Sequence, residues 1–221
     1  MKKVVVFGTS YFARLVHVYL TKDSPYEVAA FTLNKEYITE EKFRGLAVVP
    51  FEELGNLYPP DEYSMFVAIG YKRVNKARAE VYQTCKDKGY ELITYINSKA
   101  TLWGENEIGD NCFIFENNVI QPFVNIGNNC IIWSGNHIGH DTTIGDHCFI
   151  ASHAVISGNV TVGPYCFIGV NSTFRDAVKV APECVIGAGA MILKDTQEQG
   201  VYAAKNTEIH PISSSEWRSF K

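Results

Sequence analysis

Apolar residues return at every sixth position through the second half of the chain, after Leu102. The series is Ile108, Ile114, Ile120, Ile126, Ile132, Ile138, Ile144, Ile150, Ile156, Val162, Ile168, Phe174, Val180, Ile186 and Ile192. A glycine follows many of these residues directly, as at Gly109, Gly127 and Gly139. A helix requires apolar spacing of about 3.6 residues and a single strand about 2, so this pattern predicts a coil of three short strands per turn.

Five of the six cysteines keep the same register. They are Cys112, Cys130, Cys148, Cys166 and Cys184, and each stands eighteen residues from the next. Disulfide-dense chains are short and rich in loops, whereas these thiols occupy one small inward position of a repeat. We therefore predict that they pack as buried hydrophobic side chains and neither bind a metal nor act as nucleophiles.

The first part of the chain has a different pattern. Residues 2–7, 28–31 and 65–69 read as strands, and residues 92–96 as a last strand. Residues 12–20 and 73–88 have the apolar spacing of helices. Together they predict a small parallel sheet with helices on its faces, and the carboxyl ends of its strands are the expected ligand crevice.

The basic residues support a boundary near residue 100. Between residues 101 and 192 the only basic side chains are Arg175 and Lys179. The net charge of −4 and the isoelectric point of about 5.9 leave no basic stripe for a phosphate backbone, so nucleic acid is not expected as a partner. No signal peptide or apolar run of membrane-spanning length is present, and we expect a cytoplasmic protein.

Two glycines close strands of the predicted sheet. The turn Gly8, Thr9, Ser10 lacks the further glycines of a dinucleotide fingerprint, so bound NAD is weakly supported. Free amides at the helix start can still hold a phosphate, and a tight turn without any ligand is an equal alternative. Beyond Gly70, the candidates for holding a nucleotide are Tyr71, Asn75 and Arg78.

Several aromatic residues fall outside the sixfold series: Phe113, Phe115, Phe123, Trp133 and Phe149. A monomer would expose them as a patch, and such patches usually mark an interface. The sequence therefore predicts that the chain associates with itself.

One cluster of ionisable side chains interrupts the coil. His140 and Asp141 lie at a corner, where an imidazole can take a proton from an attacking group and a carboxylate can orient it. His137, His147 and His153 lie close by in sequence, and for each of these a structural role is expected.

These segments, with 157–160, 169–172 and 186–190, resemble the hexapeptide-repeat sugar acyltransferases. The resemblance is greatest to the branch with sialic acid O-acetyltransferases and N-acetyltransferases of nucleotide-linked amino sugars. It implies a Rossmann-like nucleotide-sugar-binding domain at 1–99, a left-handed parallel β-helix at 100–196 and a capping tail at 197–221. It also implies a homotrimer with active sites at subunit interfaces, acetyl-CoA as co-substrate, no metal, and a role in surface polysaccharide biosynthesis.

The resemblance also assigns residues. His140 matches the general base with Asp141 as its acidic neighbour, and the Gly158 amide matches an oxyanion donor. Gly158, Val170 and Ala188 match positions along the pantetheine arm, with Lys194 following. The nucleotide is expected at Gly8, Thr9, Ser10 and Gly70. Trp133 and Phe149 would make the acceptor pocket apolar and favour a deoxysugar.

Three alternatives remain open from the residues. The acceptor can be a sugar hydroxyl, as in the sialic acid enzymes. A zinc hydratase of the carbonic anhydrase type would use His137, His140 and His153 as ligands. A scaffold protein would use the coil for assembly alone. At the end of the chain, residues 213–217 read as a short capped helix.

Overall fold

The computed structural model describes residues 2–217 and begins with an α/β domain. Its strands are β1 (Lys2–Phe7), β2 (Tyr26–Leu33), β3 (Lys42–Phe43), β4 (Leu46–Pro50) and β5 (Tyr63–Val67). Its helices are α1 (Tyr11–Asp23), α2 (Leu54–Leu57) and α3 (Lys76–Asp87), with 3₁₀ turns at Lys35–Tyr37 and Phe51–Glu53. None of the helices within residues 2–217 has the length and apolar character that would carry it across a bilayer.

The sheet of this domain runs in the order β3-β4-β2-β1-β5 and is parallel except for the β3–β4 pair. Val4, Val5 and Val6 of β1 are fully buried because α1 covers one face of this interior strand and α3 the other. The carboxyl ends of β1 and β5 lie side by side, with Phe7 paired to Val67. The segments that follow them, at Gly8 and Gly70, therefore meet at one edge of the sheet.

The coil has three parallel sheets of two-residue strands. One consists of β6 (Tyr95–Ile96), β9 (Phe113–Ile114), β12 (Ile131–Ile132), β15 (Phe149–Ile150), β18 (Phe167–Ile168), β21 (Val185–Ile186) and β23 (Val201–Tyr202); we call it the covered face. The second face consists of β7 (Thr101–Leu102), β10 (Val119–Ile120), β13 (His137–Ile138), β16 (Val155–Ile156), β19 (Thr173–Phe174) and β22 (Met191–Ile192). The third face consists of β8 (Glu107–Ile108), β11 (Asn125–Ile126), β14 (Thr143–Ile144), β17 (Thr161–Val162) and β20 (Lys179–Val180). The architecture fits the predicted left-handed β-helix.

The sixfold apolar series forms the core of the coil. Every member of the series from Ile114 to Ile192 is at most 4% exposed. The five cysteines that stand eighteen residues apart are also fully buried, and their thiols are free. Each thiol donates to a backbone carbonyl fifteen or thirteen residues ahead; the Cys112 Sγ, for example, lies 3.1 Å from the Gly127 oxygen. The packing role predicted for the cysteines agrees with these positions.

The corners between faces share one backbone conformation. A corner consists of the four residues between two successive strands, and in nearly all corners the third of them has a positive φ. Examples are Asn129 (58°), Asp141 (56°), His147 (63°) and His153 (60°). Asn, Asp and His tolerate this left-handed region better than most residues. This preference explains the frequent asparagines of the coil and the places of His147 and His153.

We name the three edges by what they carry. The histidine edge joins the second and third faces and includes residues 139–142, 157–160 and 175–178. The helix edge joins the third and covered faces and includes residues 127–130 and 145–148. The asparagine edge joins the covered and second faces and includes residues 133–136, 169–172 and 187–190.

The α/β domain packs on the covered face, and this corrects the sequence interpretation of the aromatic residues. Phe113, Phe115 and Phe149 are at most 5% exposed. Their cover comes from the same chain: the Phe12 ring of α1 lies 5.7 Å from Phe113, and the Tyr19 ring 5.1 Å from Phe115. Burial of each phenylalanine contributes roughly 1.5–3 kcal/mol to this domain contact. These residues do not form a surface for a second copy.

The structure also shifts several predicted elements. The helix expected at 73–88 begins only at Lys76, because Arg73, Val74 and Asn75 all have positive φ. The last strand expected at 92–96 divides: Leu92 forms a single bridge to Met65, whereas β6 already belongs to the coil. Strand β23 likewise joins the coil beyond residue 196, although the three domain bounds themselves stay a prediction. Residues 213–217, predicted as a short capped helix, form a turn instead. The backbone carbonyl of Ser213 accepts the Glu216 amide proton at 3.0 Å.

Candidate functional site

The histidine edge presents an imidazole and a carboxylate to solvent. His140 and Asp141 have side chains 60% and 56% exposed, and the imidazole Nδ1 lies 2.8 Å from Asp141 Oδ2. Since an ionised carboxylate only accepts, this contact assigns the proton to Nδ1 and leaves Nε2 free to take another. The His140 amide donates to Gln121 Oε1 at 2.9 Å, which fixes the backbone from the coil below. The pair has the geometry of an oriented general base.

Gly158 lies directly beside the imidazole. A Cβ at Gly158 would stand 2.6 Å from His140 Nε2, so the ring occupies the space that any other residue would fill. The amide of Gly158 donates to Asp176 Oδ1 at 2.9 Å. The predicted oxyanion role of this amide is therefore incompatible with the arrangement seen here, because a carboxylate already accepts its proton.

The residues expected along a pantetheine arm lie on two edges. Gly158 and Lys194 follow strands of the second face and share the histidine edge with His140. Val170 and Ala188 follow strands of the covered face and lie on the asparagine edge, where both are exposed. One chain does not bring the four together.

The turn after β1 lines a cavity of about 600 Å³ in the α/β domain. Gly8, Thr9 and Ser10 form one side, and Gly70 lies on the other. Gly8 has a φ of 124° and its missing Cβ would lie 2.9 Å from the Ala68 oxygen, so the turn requires glycine whether or not a ligand binds. Ser10 precedes α1 without capping it through its side chain, which leaves the first amides of this helix facing the turn.

Asn75 and Arg78, predicted to hold a nucleotide, instead bind the coil. Both are fully buried. Arg78 donates to the carbonyls of Asn129, His147 and Cys148 at 3.2, 2.9 and 3.1 Å. Asn75 Nδ2 donates to the Tyr165 and Cys166 carbonyls, each at 3.1 Å. Burial lowers the pKa of Arg78 to about 10. These side chains clamp the two domains together and are not available to a ligand.

Tyr71, also predicted at the nucleotide, lies over the coil. Its ring is 4.9 Å from both Phe149 and Phe167, and the residue is 57% exposed. Trp133 stacks on Phe115 at 4.6 Å, on the edge of the covered face. In one copy Trp133 and Phe149 are thus separated from His140 by the second face, and the apolar acceptor pocket predicted around His140 is not formed.

The remaining histidines are dispersed. His137 lies on β13 of the second face, His153 at a corner of the asparagine edge, and His147 at a corner of the helix edge. Burial lowers the pKa of His147, whose Nδ1 lies 2.8 Å from Asn129 Nδ2. Across residues 2–217 no group of three or more His, Cys, Asp or Glu side chains is arranged to hold a metal ion. The zinc set of His137, His140 and His153 does not converge within one chain.

Sequence reasoning missed three residues near these sites. Asp176 stands thirty-six residues, or two turns of the coil, beyond His140, so the repeat itself contained the signal. Lys72 and Arg73 also line the cavity, and Arg73 begins the left-handed turn before α3. No sequence pattern indicated that turn, because Arg73 and Val74 are uncommon at positive φ.

Comparison with protein families assigns the coil. Residues 107–139 and 124–158 match the family described as bacterial transferase hexapeptide (six repeats). Residues 159–194 match the hexapeptide repeat of succinyl-transferase. The predicted resemblance to hexapeptide-repeat acyltransferases is confirmed by these matches. No curated protein sequence matches the chain.

Several solved structures share the fold over nearly the whole chain. The perosamine N-acetyltransferase of Caulobacter crescentus, crystallised with CoA and GDP-perosamine, is 23% identical, with 91% of this chain and 93% of that chain covered and a TM-score of 0.81. The acetyltransferase domain of PglB from Neisseria gonorrhoeae is 22% identical, with 92% and 97% covered and a TM-score of 0.80. WeeI from Acinetobacter baumannii is 18% identical, with 90% and 94% covered and a TM-score of 0.76. At these identities the likeness establishes the fold.

Proposed function

We propose that the protein, whose coil matches the hexapeptide repeats of transferases, transfers an acetyl group from acetyl-CoA to the amine of a nucleotide-linked amino sugar. The observation that carries the proposal is the His140–Asp141 pair, held beside Gly158 on an exposed edge. The perosamine N-acetyltransferase of similar fold was crystallised with CoA and GDP-perosamine, and the PglB domain with acetyl coenzyme A. Both descriptions support these substrate classes here.

His140 acts as the general base. Its Nδ1–H donates to Asp141, so Nε2 takes the proton of the sugar amine as the nitrogen attacks the thioester carbonyl. Asp141 stabilises the imidazolium that forms. The imidazolium then gives its proton to the departing thiolate, and no covalent enzyme intermediate is needed. Because Gly158 N–H is occupied, an oxyanion donor at Gly158 would require Asp176 to move.

The nucleotide lies in the cavity at the carboxyl ends of β1 and β5. We assign its phosphates to the amides of the Gly8, Thr9, Ser10 turn and the start of α1. Lys72 adds positive charge to the lining of the cavity, where Arg73 is paired with Glu80. This assignment treats the α/β domain as Rossmann-like, with the ligand beyond the carboxyl ends of its strands.

The active site is completed by a second copy, in a homotrimer. The α/β domain lies on the covered face, which is the face opposite the histidine edge, so the nucleotide cavity and His140 of one chain lie on different sides of the coil. Val170 and Ala188 occupy a different edge from Gly158. Apolar side chains exposed on or beside the second face support association there: Phe123 (51%), Val155 (42%), Val170 (42%), Met191 (67%) and Leu193 (50%).

We further assign the protein to the cytoplasm and to surface polysaccharide biosynthesis. Its six free thiols suit a reducing compartment. Nucleotide-linked sugars are the activated donors from which glycans are built, which places the reaction before glycosyl transfer.

Thiol release from acetyl-CoA tests the proposal. The acceptor panel contains nucleotide-linked 3-amino and 4-amino sugars, with sialic acid as the hydroxyl acceptor. We expect thiol release with an amino sugar, and His140→Ala should lower kcat by roughly 10²–10⁴-fold, the usual contribution of a general base.

The matched control is His153→Asn, which replaces another exposed corner histidine by a residue that tolerates positive φ. Its activity should equal that of the wild type. Undiminished transfer by His140→Ala would disprove the base assignment, and preferred acetylation of sialic acid would move the protein to the hydroxyl-transferring enzymes.

A further inference from the structure

Asp176 places a second carboxylate beside Gly158, the residue against which the His140 imidazole packs. His140, Gly158 and Asp176 form one column on the histidine edge, eighteen residues apart. The ring and the carboxylate approach Gly158 from the two neighbouring coils: the ring fills the space of its missing Cβ, and Oδ1 of Asp176 lies 2.9 Å from its nitrogen. Both groups therefore border Gly158, and Nε2 of His140 lies on the same glycine.

The charge of Asp176 is not neutralised within the described residues. The carboxylate is exposed and takes part in no salt bridge there. Arg175 is the adjoining cation, and its guanidinium takes part in no salt bridge in residues 2–217. The Asp141 carboxylate lies at Nδ1 of His140, whereas Asp176 borders Gly158, against which Nε2 lies.

Elsewhere in the coil, a side-chain oxygen also accepts the amide proton of the residue eighteen positions earlier, at places outside the candidate site. On the helix edge, Asp146 Oδ1 accepts the Asn128 amide proton at 2.6 Å, and Asn128 Oδ1 accepts that of Asp110 at 3.0 Å. Either Asp or Asn can therefore cap the amide of the preceding coil. The cap alone does not require a negative charge at position 176.

We propose that Asp176 is a specificity-determining residue, which binds the ammonium form of the acceptor amine next to His140 Nε2 and so selects amines over hydroxyls. This inference rests on the proposed acetyl transfer and names the acceptor class of the same site. A sugar amine is largely protonated near neutral pH, and a carboxylate holds such a group through charge-assisted hydrogen bonds. An anionic acceptor such as sialic acid is repelled.

The protons balance as follows. The bound ammonium first loses one proton to water, which gives the neutral amine. Its nitrogen then forms the C–N bond with the thioester carbonyl, and His140 Nε2 takes the second proton. The C–S bond breaks, and the imidazolium protonates the thiolate. Each turnover yields the amide, free CoA thiol and one proton.

Asp176→Asn tests the charge while keeping the cap. The probe is the amino-sugar nucleotide of the panel with the fastest thiol release, together with its hydroxyl analogue as a competitive inhibitor. We expect kcat/KM for the amine to fall roughly tenfold to a hundredfold, mainly through KM, the scale of one hydrogen bond to a charged group. The Ki of the hydroxyl analogue and the KM of acetyl-CoA should not change.

Asp146→Asn is the control, because it makes the same replacement at the cap on the helix edge. It should leave the kinetics of the wild type unaltered. Kinetics of Asp176→Asn equal to the wild type would overturn the inference, as would a rise confined to the KM of acetyl-CoA. A gain in kcat on Asp176→Ala would overturn it as well, since it would show the carboxylate to be an obstacle at the Gly158 amide.

The two proposals fail differently. If no amino sugar supports thiol release, the proposed function fails and the role of Asp176 fails with it. If His140→Ala abolishes transfer while Asp176→Asn leaves it intact, only the role of Asp176 is lost.

Discussion

The histidine edge and the helix edge have the same backbone but opposite surroundings. At the histidine edge, His140 and Asp176 are exposed and bordered by a glycine. At the helix edge, α3 lies over the corresponding corners, and Asn129 and His147 join a buried ladder that begins with the Asn111 side chain. One repeat thus supports chemistry where it stays open and domain packing where it is covered. The surroundings, and not the turn, decide what a corner residue does.

The largest expected effect concerns the helix edge. Arg78→Ala leaves several buried carbonyls of the coil without their donor and opens a cavity between the domains. We expect the free energy of unfolding to fall by about 3 kcal/mol or more. Chemical denaturation measures this change. Arg175→Ala, on the histidine edge, should alter the stability by less than about 0.5 kcal/mol, and equal losses in both variants would remove the contrast between the edges.

An intermediate effect concerns activity alone. In Gly158→Ala the three atoms nearest the new methyl group all belong to the His140 ring, so we expect the imidazole to turn away while the coil stays folded. We expect kcat/KM to fall roughly tenfold to a hundredfold, a change of about 1.4–2.7 kcal/mol, with little change in the melting temperature.

Gly139→Ala is the contrasting variant. Its methyl group would lie 2.5 Å from the Ser157 carbonyl carbon and 2.6 Å from the Gly158 nitrogen, and backbone cannot yield as a ring can. Lost stability is expected here. If Gly158→Ala unfolds as readily as Gly139→Ala, the space beside His140 serves packing and not the orientation of the base.

The smallest effect is the pH dependence of stability at the helix edge. Burial lowers the pKa of His147 below 6.5 in the folded state, so the unfolded chain binds the proton more readily. Stability from this residue is therefore complete above about pH 6.5 and is lost as the pH falls below it.

His147→Asn isolates the contribution of His147 to the pH dependence of stability. Asparagine already holds the two preceding positions of the ladder at positive φ, so the variant should fold and should depend less on pH between 6.5 and 5. The burial-lowered pKa of His17 leaves a remaining dependence of the same sign. An unchanged slope in denaturation curves across this range would contradict the assignment to His147.

Much of the candidate site followed from the repeat. The place of His140 and Asp141 at a corner and the inward position of Cys148 depend only on local spacing, and the structure agrees with both. The roles of Arg78 and Phe113 did not follow, because each depends on a partner far away in sequence. An arginine on a helix and an aromatic residue outside the core series read as surface groups until the facing domain is known.

The sequence by itself determined the coil, its core and the histidine at its corner, because a six-residue period allows one set of side chains to point inward in every turn. Only the tertiary structure decided which of three similar faces the α/β domain covers, that Arg78 is a clamp, and that Asp176 bonds to the amide beside His140. Those outcomes arise from contacts between distant segments, and the three faces differ too little in their local pattern to reveal them.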